Sequence, residues 1–266
     1  MISKRPSWDG ESDESDDEEE TSKEKSGLQK LDISDNKNIR SLPAHLPCLA
    51  PNLSKLIAAG CGIDSPVHIS QLPFGLTILD LSRNELTKLD LTGREQIRNR
   101  ACGSRVAHTN LLHKSVSEPT KINKWKAIAK FCRHRLHRQL LQLKTLNLSQ
   151  NKIEELSFTI PKQGDQIEAV DCVLPMVQTL NLSTNALKIV PANIGKMRKL
   201  GSLDISGNPK IDTLPPELGR CSSLYDLKFN PQQIRDPPRA IVERRRLNGQ
   251  IDVQYIRNFL KGICEQ

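Results

Sequence analysis

Leucine and isoleucine recur along this chain at a spacing that fits neither a helix nor a plain alternating strand. In the segment "LKTLNLSQNKIEEL", which spans residues 143–156, Asn151 lies among five apolar positions. Those positions are Leu143, Leu146, Leu148, Ile153 and Leu156. A helix would repeat its apolar residues every three or four positions, and a half-buried strand would repeat them every second position. The segment therefore predicts a short strand that ends in a turn.

The same pattern occurs in seven copies along the chain. The copies begin at Leu28, Leu53, Leu76, Leu143, Val177, Leu200 and Leu224, and the successive starts are 25, 23, 67, 34, 23 and 24 residues apart. Four of the six intervals match the period of about 20–29 residues of leucine-rich repeats, and the copies follow the L-x-x-L-x-L-x-x-N/C-x-L pattern. The sequence thus resembles the leucine-rich repeat family. This resemblance implies an α/β solenoid, a right-handed coil with parallel strands on its concave face.

The physical chemistry of one copy explains why the same residue types recur at these positions. The two strand leucines are expected to point inward, where each coil buries them only against its neighbours. At the turn, the asparagine is expected to bond backbone groups that the strands leave unpaired, because a buried unpaired polar group costs about 1–3 kcal/mol. Cys61 takes this turn position in the second copy. We interpret the polar residues within the strands as structural rather than catalytic; they are Asp32, Asp80, Asn147, Asn181 and Asp204.

The side of the coil opposite the strands has a pattern of its own in two copies. The first and sixth copies each carry one extra residue before an isoleucine, and Leu-Pro follows at residues 42–43 and 214–215. The segments "PANIG" and "PPELG" then predict short helical turns on the back of the coil. Because glycine commonly terminates helices, we expect these turns to end at Gly195 and Gly219.

The interval of 67 residues between copies three and four predicts a basic insertion at residues 92–142. Residues 94–144 contain thirteen Lys or Arg residues and two Glu residues. An apolar helical stripe runs through Trp125, Ile128, Cys132, Leu136, Leu140 and Leu143. It is surrounded by Lys126, Lys130, Arg133, Arg135 and Arg138. Such an amphipathic helix either binds an acidic surface, membrane headgroups, RNA or a calmodulin-like groove, or packs against the coils and leaves its charges solvated.

Composition indicates the remaining boundaries. Residues 1–25 predict a disordered acidic tail because they combine low hydrophobicity with dense charge. Its segment "ESDESDDEEE" either keeps the chain in solution or is phosphorylated at Ser12 and Ser15. Repeats are expected at residues 26–91 and 143–236, and a cap is expected at residues 237–266, since the open end of a solenoid needs a cover. The apolar stripe of this cap is Ile251, Tyr255, Ile256, Phe259, Leu260 and Ile263.

The overall composition narrows the class of protein. Apolar residues make up 36% of the chain and aromatic residues only 3%, so the core must be aliphatic. The seven scattered cysteines predict reduced thiols in a cytoplasmic protein. No apolar stretch approaches the roughly 20 residues of a membrane span, and the N-terminus lacks the apolar core of a signal peptide. The formal net charge of +8 is concentrated in the insertion, so it does not by itself indicate nucleic-acid binding.

Motifs for catalysis are absent from the sequence. It contains no G-x-x-x-x-G-K-[ST] phosphate loop, no kinase glycine-rich loop and no H-R-D or D-F-G motif. Cys132, His134 and His137 form a C-x-H-x-x-H motif, but a metal site usually needs further ligands. We therefore expect no enzymatic activity, no cofactor and no metal site.

The last two copies carry a narrower resemblance. The segment "LDISGNPKIDTLPPELGRCSSLYDL", then Pro237, Pro238, Gly249 and "YIRNFLKG", is similar to the end of the repeat region in ROCO proteins, the leucine-rich repeat kinases. Within that family such a segment leads into a Roc GTPase, which implies that the catalytic parts are absent from this chain. Related endings occur in other intracellular repeat proteins, including Ras-pathway scaffolds. The insertion departs from the family pattern and raises the question of whether one surface continues across it.

Three functions are consistent with these features. The first is a non-catalytic interaction module or scaffold in intracellular signalling that binds another protein through its concave face. The second is a truncated ROCO-type GTPase or kinase that lacks its catalytic domains, and the third is a binder of RNA or anionic surfaces through the basic insertion. The partner and the oligomeric state stay open. The predicted partner-binding residues on the concave face are Lys30, Asp35, Lys55, Arg83, Thr145, Gln150, Thr179, Thr184, Tyr225 and Lys228.

Overall fold

The computed structural model describes residues 27–43, 46–90, 140–158, 172 and 174–265. The predicted acidic tail at residues 1–25 lies outside these ranges, and so do residues 92–139 of the predicted insertion. The insertion residues outside them include Lys126, Lys130, Cys132, Arg133, His134, Arg135, His137 and Arg138. What the sequence indicates for the tail and for these residues therefore stays a prediction.

Short parallel strands form the frame of the molecule. The strands of the described ranges are β1 (Lys30–Asp32), β2 (Lys55–Ile57), β3 (Val67–His68), β4 (Ile78–Asp80), β5 (Leu89–Asp90), β6 (Thr145–Asn147), β7 (Thr179–Asn181), β8 (Ser202–Asp204) and β9 (Asp226–Lys228). Seven of them form one sheet in the order β1-β2-β4-β6-β7-β8-β9, and each neighbouring pair is parallel. β3 and β5 make a separate parallel pair that the repeat pattern does not predict.

The seven strands are aligned residue by residue. Their middle positions pair across the whole sheet, from Leu31 opposite Leu56 to Leu203 opposite Leu227. From β2 onward each middle leucine is 4% exposed or less. Because successive side chains of a strand point to opposite faces, the middle residues fill the interior and the first and third residues face outward. The shared interior predicted for Leu31, Leu79, Leu146, Leu180 and Leu203 is confirmed.

The long insertion leaves the large sheet continuous. β4 ends at Asp80 and β6 begins only at Thr145, yet the two strands pair directly, with Ile78 opposite Thr145. The N–H of Leu81 also donates to the carbonyl of Asn147 at 2.9 Å, which extends the pairing beyond the strand. The surface formed by the strands is therefore unbroken across the site of the insertion.

The fourth coil begins before residue 142, where the insertion is predicted to end. Leu140 is only 2% exposed, and its carbonyl accepts the N–H of Leu143 at 3.2 Å. The same bond precedes the strand in other coils, where Met197 accepts from Leu200 at 3.0 Å. Leu140 and Leu143 thus belong to the repeat core, and the helical stripe predicted for the insertion does not extend through them.

Short helices form much of the remaining regular structure of the described ranges. They are α1 (Leu46–Leu49), the 3-10 helices Ile69–Gln71, Ala192–Lys196 and Pro216–Arg220, α2 (Arg239–Val242) and α3 (Val253–Cys264). None of the helices in this part of the chain combines the length and the apolar character of a membrane span. The segment "PANIG" contributes to the 3-10 helix Ala192–Lys196, and "PPELG" contributes to Pro216–Arg220. These two helices lie on the side of their coils opposite the strands.

Two buried glycines have a different role from the one the sequence suggests. Gly195 and Gly219 lie inside their 3-10 helices, which end at Lys196 and Arg220, so the prediction that these glycines end the turns is wrong. A Cβ on Gly195 would lie 2.5 Å from the carbonyl oxygen of Glu217. A Cβ on Gly219 would lie 2.3 Å from the backbone nitrogen of Lys261. Glycine is needed at both positions because the next segment of backbone passes directly against it.

We expect Gly219→Ala to lower the free energy of unfolding by about 1–3 kcal/mol, because α3 must shift away from the added methyl group. The measurement is urea unfolding followed by far-ultraviolet circular dichroism. Gly262→Ala is the matched control, because nothing lies within 4 Å of a Cβ at Gly262. In the control, alanine should be neutral or slightly stabilising because it favours the helix. Equal stabilities for the two variants would contradict the proposed close approach.

The C-terminal segment packs against the end of the sixth coil and the start of the seventh. The side chain of Asp252 caps α3, because its Oδ1 accepts the N–H of Tyr255 at 3.2 Å. From within α3, Arg257 donates to the carbonyl oxygens of Ser222 at 2.7 Å and Leu224 at 3.0 Å. These bonds connect the helix to the loop that leads into β9.

The apolar face of α3 differs in detail from the predicted stripe. Ile256 and Leu260 are each 1% exposed, as expected for the buried face. Val253 is also buried, although it was not part of the predicted stripe. Ile263, which was part of it, is 39% exposed. The contact of α3 with Gly219 lies at Leu260 and Lys261, so the last turn of the helix extends past the main contact.

The interior is aliphatic, as the composition predicts. Among the described residues, most buried side chains are Leu, Ile, Val, Ala, Met or Cys. The two buried aromatic side chains of these ranges are Phe158, which is fully buried, and Phe229, which is 8% exposed. The leucine columns therefore supply most of the apolar area that stabilises the stack.

Candidate interaction surface

The outward side of the seven-stranded sheet, which we call the strand face, is the candidate site. The first and third residues of each strand lie on this face, on either side of the inward leucine. The turn that follows each strand extends the face on one side. The side chains that the strand face offers to a partner depend on the hydrogen bonds of the turn asparagines, on those at the third strand position and on an ion pair between Asp35 and Arg83.

Behind the strand face, a column of buried asparagines holds the turns together. In Asn151, Nδ2 donates to the carbonyls of Leu148 at 3.0 Å and Ser149 at 3.1 Å in its own coil, and to Leu81 at 2.9 Å in the preceding coil. Its Oδ1 accepts the N–H of Leu86 at 3.0 Å. The predicted role of asparagine at the turn is therefore confirmed. The same arrangement is found at Asn84, Asn185 and Asn208.

Three cysteines of the described ranges, Cys61, Cys172 and Cys221, are not suited to nucleophilic chemistry. Cys61 takes the asparagine position in the second coil, where its Sγ donates to the carbonyl of Ile33 at 3.0 Å. Burial raises the pKa of the Cys61 and Cys172 thiols, and it raises the pKa of Cys221 to about 12. A thiol is nucleophilic only as the thiolate, so these groups stay unreactive at neutral pH. The described residues also contain no cluster of three His, Cys, Asp or Glu residues that could hold a metal ion.

The acidic and amide residues at the third strand position are structural, as predicted. Asp32 accepts from the hydroxyl of Ser34 at 2.7 Å and from its N–H at 3.0 Å. Both bonds lower the pKa of Asp32, and the bond from the Ser34 hydroxyl has the larger effect. Asn147 and Asp204 bind the serine two residues later in the same way. Each such residue fixes the backbone at the end of its strand.

The predicted partner-binding residues fall into two groups on the strand face. One group lies on the strands or directly before one of them: Lys30, Lys55, Thr145, Thr179, Tyr225 and Lys228. The other group lies in the turns after the strands, where φ is between 54° and 61°: Asp35, Arg83, Gln150 and Thr184. Gly60 and Gly207 take the equivalent turn position in two other coils and also have positive φ. Recurrence of glycine at this position is the signal by which the sequence alone could have revealed a left-handed turn.

Asp35 of the first coil and Arg83 of the third coil form an ion pair across the second coil. The guanidinium Nη1 of Arg83 lies 3.1 Å from Oδ1 of Asp35, and both side chains are about half exposed or more. The pair passes over Gly60, where a Cβ would lie 2.6 Å from the Asp35 carboxylate. Sequence reasoning missed this pair because the two residues are 48 positions apart. Arg83 is therefore already neutralised within the chain.

Charge divides the strand face lengthwise into two rows. The start row consists of the first strand residue and the residue before it in each of the first six coils, at residues 29–30, 54–55, 77–78, 144–145, 178–179 and 201–202. Its charged members are Lys30, Lys55 and Lys144, and in the seventh coil the equivalent positions are Tyr225 and Asp226. The end row consists of the third strand residue and the left-handed turn residue of the same coils. Its charged members are Asp32, Asp35, Asp80, Arg83 and Asp204.

Tyr225 is the large aromatic side chain that the described strand face presents to solvent. It lies directly before β9 and is 72% exposed, with its ring against Gly201 of the neighbouring coil. Most of the neighbouring positions carry small polar side chains such as Thr179 and Ser202. An exposed aromatic ring on a firm backbone is typical of the residues that dominate binding energy at protein interfaces.

Comparison with known proteins agrees with this geometry. A family model described as Leucine Rich Repeat matches residues 142–163. The leucine-rich repeat serine/threonine-protein kinase 1 of Caenorhabditis elegans is 23% identical over 258 residues, which cover 88% of this chain and 10% of the kinase. The protein of the same name from Mus musculus is 27% identical over 117 residues, which cover 38% of this chain and 6% of the kinase. This chain thus spans a tenth or less of the length of these kinases.

Among solved structures, the functional domain of InlJ from Listeria monocytogenes, which includes a cysteine ladder, is similar to this chain with a TM-score of 0.47. The two are 18% identical, and the similarity covers 76% of this chain and 30% of the InlJ chain. The family match and the kinase relatives confirm the resemblance that the repeated pattern suggests. Residues 142–163 thus match the leucine-rich repeat model, and the repeats of this chain resemble those of the leucine-rich repeat kinases.

Proposed function

We propose that this chain is a non-catalytic module that binds another protein on its strand face. The observation that carries the proposal is the unbroken seven-stranded sheet, whose first and third strand residues face outward in every coil. Leucine-rich repeats commonly use such an extended face for protein partners. Further support comes from the thiols, whose raised pKa values make them poor nucleophiles, and from the absence of phosphoryl-transfer motifs in the sequence.

The strand face offers one strong anchor and many weaker contacts. Tyr225 supplies a large exposed aromatic surface, and the hydroxyl and amide groups along the middle coils supply adaptable hydrogen bonds. Lys30, Lys55 and Lys228 add charge at the two ends of the sheet. We propose that the predicted partner-binding residues act in this way, with Asp35 and Arg83 contributing as a pair rather than as separate charges.

The finer architecture belongs to this proposal as well. We propose that residues 237–265 cap the last coil of a right-handed solenoid whose strand face is concave. The packing of α3 against Gly219 and its bonds to the loop before β9 support the capping role. We also propose that the module works in intracellular signalling. The likeness to kinases and the four free cysteines of the described ranges support this setting.

We expect Tyr225→Ala to weaken binding of a strand-face partner by at least about tenfold, because an aromatic anchor is lost. The full chain and the variant are compared by quantitative affinity capture, followed by titration calorimetry with the captured partner. Ile189→Ala is the matched control, because Ile189 is 62% exposed but does not belong to the strand face. A second arm tests Lys30→Glu together with Lys55→Glu, and it leaves Arg83 unchanged because Arg83 is paired with Asp35. Captured proteins that respond to neither strand-face variant would reject the proposal.

A further inference from the structure

The side chains of Tyr225 and Asp226 both lean over the sixth coil. One edge of the Tyr225 ring lies against Gly201, where a Cβ would be only 2.8 Å from the ring atom Cε1. The Oδ2 atom of Asp226 accepts the hydroxyl of Ser202 at 2.8 Å. Gly201 and Ser202 are consecutive residues, and Ser202 lies directly opposite Asp226 in the register of β8 and β9. The aromatic ring and the carboxylate therefore lie next to each other on the strand face.

Both groups have binding capacity that the described part of the chain does not use. Tyr225 is 72% exposed, and no cation of the described residues lies over its ring. Asp226 is half-buried and accepts one hydroxyl, but it forms no ion pair with a described residue. Lys228, two residues further along β9, lies opposite Asp204. The site thus combines an open aromatic ring with a carboxylate that lacks a described counter-ion.

A guanidinium group suits this combination. It is planar and can stack on the face of a tyrosine ring while its N–H groups donate to carboxylate oxygens. Arginine takes such a position over aromatic rings more often than lysine does. The chain itself shows the stacked half of this geometry elsewhere, because the guanidinium carbon of Arg244 lies 3.9 Å from the centre of the Tyr255 ring.

We infer that Tyr225 and Asp226 receive an arginine side chain of the protein partner. The inference rests on the proposed function, because it names what the partner presents to the aromatic anchor. Gly201 is a positioning residue in this site, since a side chain there would push the ring off the sixth coil. Ser202 has the same role for the carboxylate, through its hydrogen bond to Asp226.

Selection of a random peptide library on the full chain tests the inference. Selected peptides that Tyr225→Ala weakens should contain an arginine. Replacing that arginine by citrulline, which keeps the shape and removes the charge, should weaken binding to the wild type by at least about tenfold. On Asp226→Asn the same replacement should change binding by less than about twofold, because the two charges act as a pair. Asp64→Asn is the matched control and should keep the full effect, because Asp64 also accepts a serine hydroxyl, from Ser65 at 3.2 Å, but lies outside the strand face.

Gly201→Ala gives a second measurement. It should weaken the same peptides in the wild type and add no further loss in the Tyr225→Ala background, because Gly201 acts through the ring. The free energy of unfolding should stay equal or rise, since the ring can turn away and alanine restricts the unfolded chain.

Three results would overturn the inference: Tyr225-dependent peptides without arginine, equal effects of citrulline on the wild type and on Asp226→Asn, or a selection that yields no Tyr225-dependent peptide. The peptides need no cellular partner, so these results leave the binding proposal intact. Failure of the capture experiment with Tyr225→Ala likewise leaves the peptide result intact.

Discussion

Leu180→Ala is expected to lower the free energy of unfolding by about 4 kcal/mol, near the upper part of the range for buried leucines. Leu180 is completely buried in β7, with Leu146 and Leu203 directly opposite it on the two neighbouring strands. Removing its side chain leaves a cavity that borders two coils at once. Because each coil is stabilised only by its neighbours, neither side can close the gap without losing its own register.

Urea unfolding followed by far-ultraviolet circular dichroism measures this loss. The matched control is Ile189→Ala in the same repeat, because Ile189 is 62% exposed. Its effect should stay within about 0.5 kcal/mol, as is usual for a surface substitution. A loss below about 1 kcal/mol for Leu180→Ala would mean that the leucine column does not hold the coils together.

The second large effect is expected for Asn151→Ala, with a loss of about 3 kcal/mol, because buried backbone groups lose their partners. Asn151 is 8% exposed and accepts the N–H of Leu86 while it donates to the carbonyls of Leu81, Leu148 and Ser149. Alanine replaces none of these bonds, and water has little access to the groups that are left. The loss therefore follows from desolvation rather than from the strength of any single bond.

Asn36→Ala provides the comparison for Asn151→Ala in the same unfolding experiment. Asn36 is exposed in the first coil, and its Nδ2 donates only to the nearby carbonyls of Ile33 and Ser34. Water can replace these bonds, so the loss should be no more than about 1 kcal/mol. Similar losses at the two positions would show that bonds between coils add nothing to the asparagine column.

Much of the fold can be predicted because the signal is repeated. One copy of the pattern at residues 143–156 is ambiguous, but seven registered copies identify which leucines face inward and which asparagine closes the turn. The role of Cys61 follows from the same alignment, since it takes the position that asparagine has elsewhere. The inward or outward direction of a strand residue depends on local alternation, and a linear pattern records that alternation directly.

The candidate surface is less predictable because it depends on neighbours that are distant in sequence. Outward positions such as Lys30 and Lys55 can be identified one coil at a time. Their alignment opposite each other depends on strand register. The ion pair between Asp35 and Arg83 depends on the same register and also on the left-handed turns that bring the two side chains over Gly60. No pattern within a single repeat contains that information.

The sequence by itself determined the repeat, its aliphatic interior and the polar residues that close each turn, because these depend on local periodicity and on the cost of burying polar groups. Only the tertiary structure decided that the sheet continues from β4 to β6 across the insertion. It also decided that Gly195 and Gly219 serve close backbone approach rather than helix termination. The physical reason is that contacts between coils join residues more than 20 positions apart, and their register is set by the packing of the whole stack.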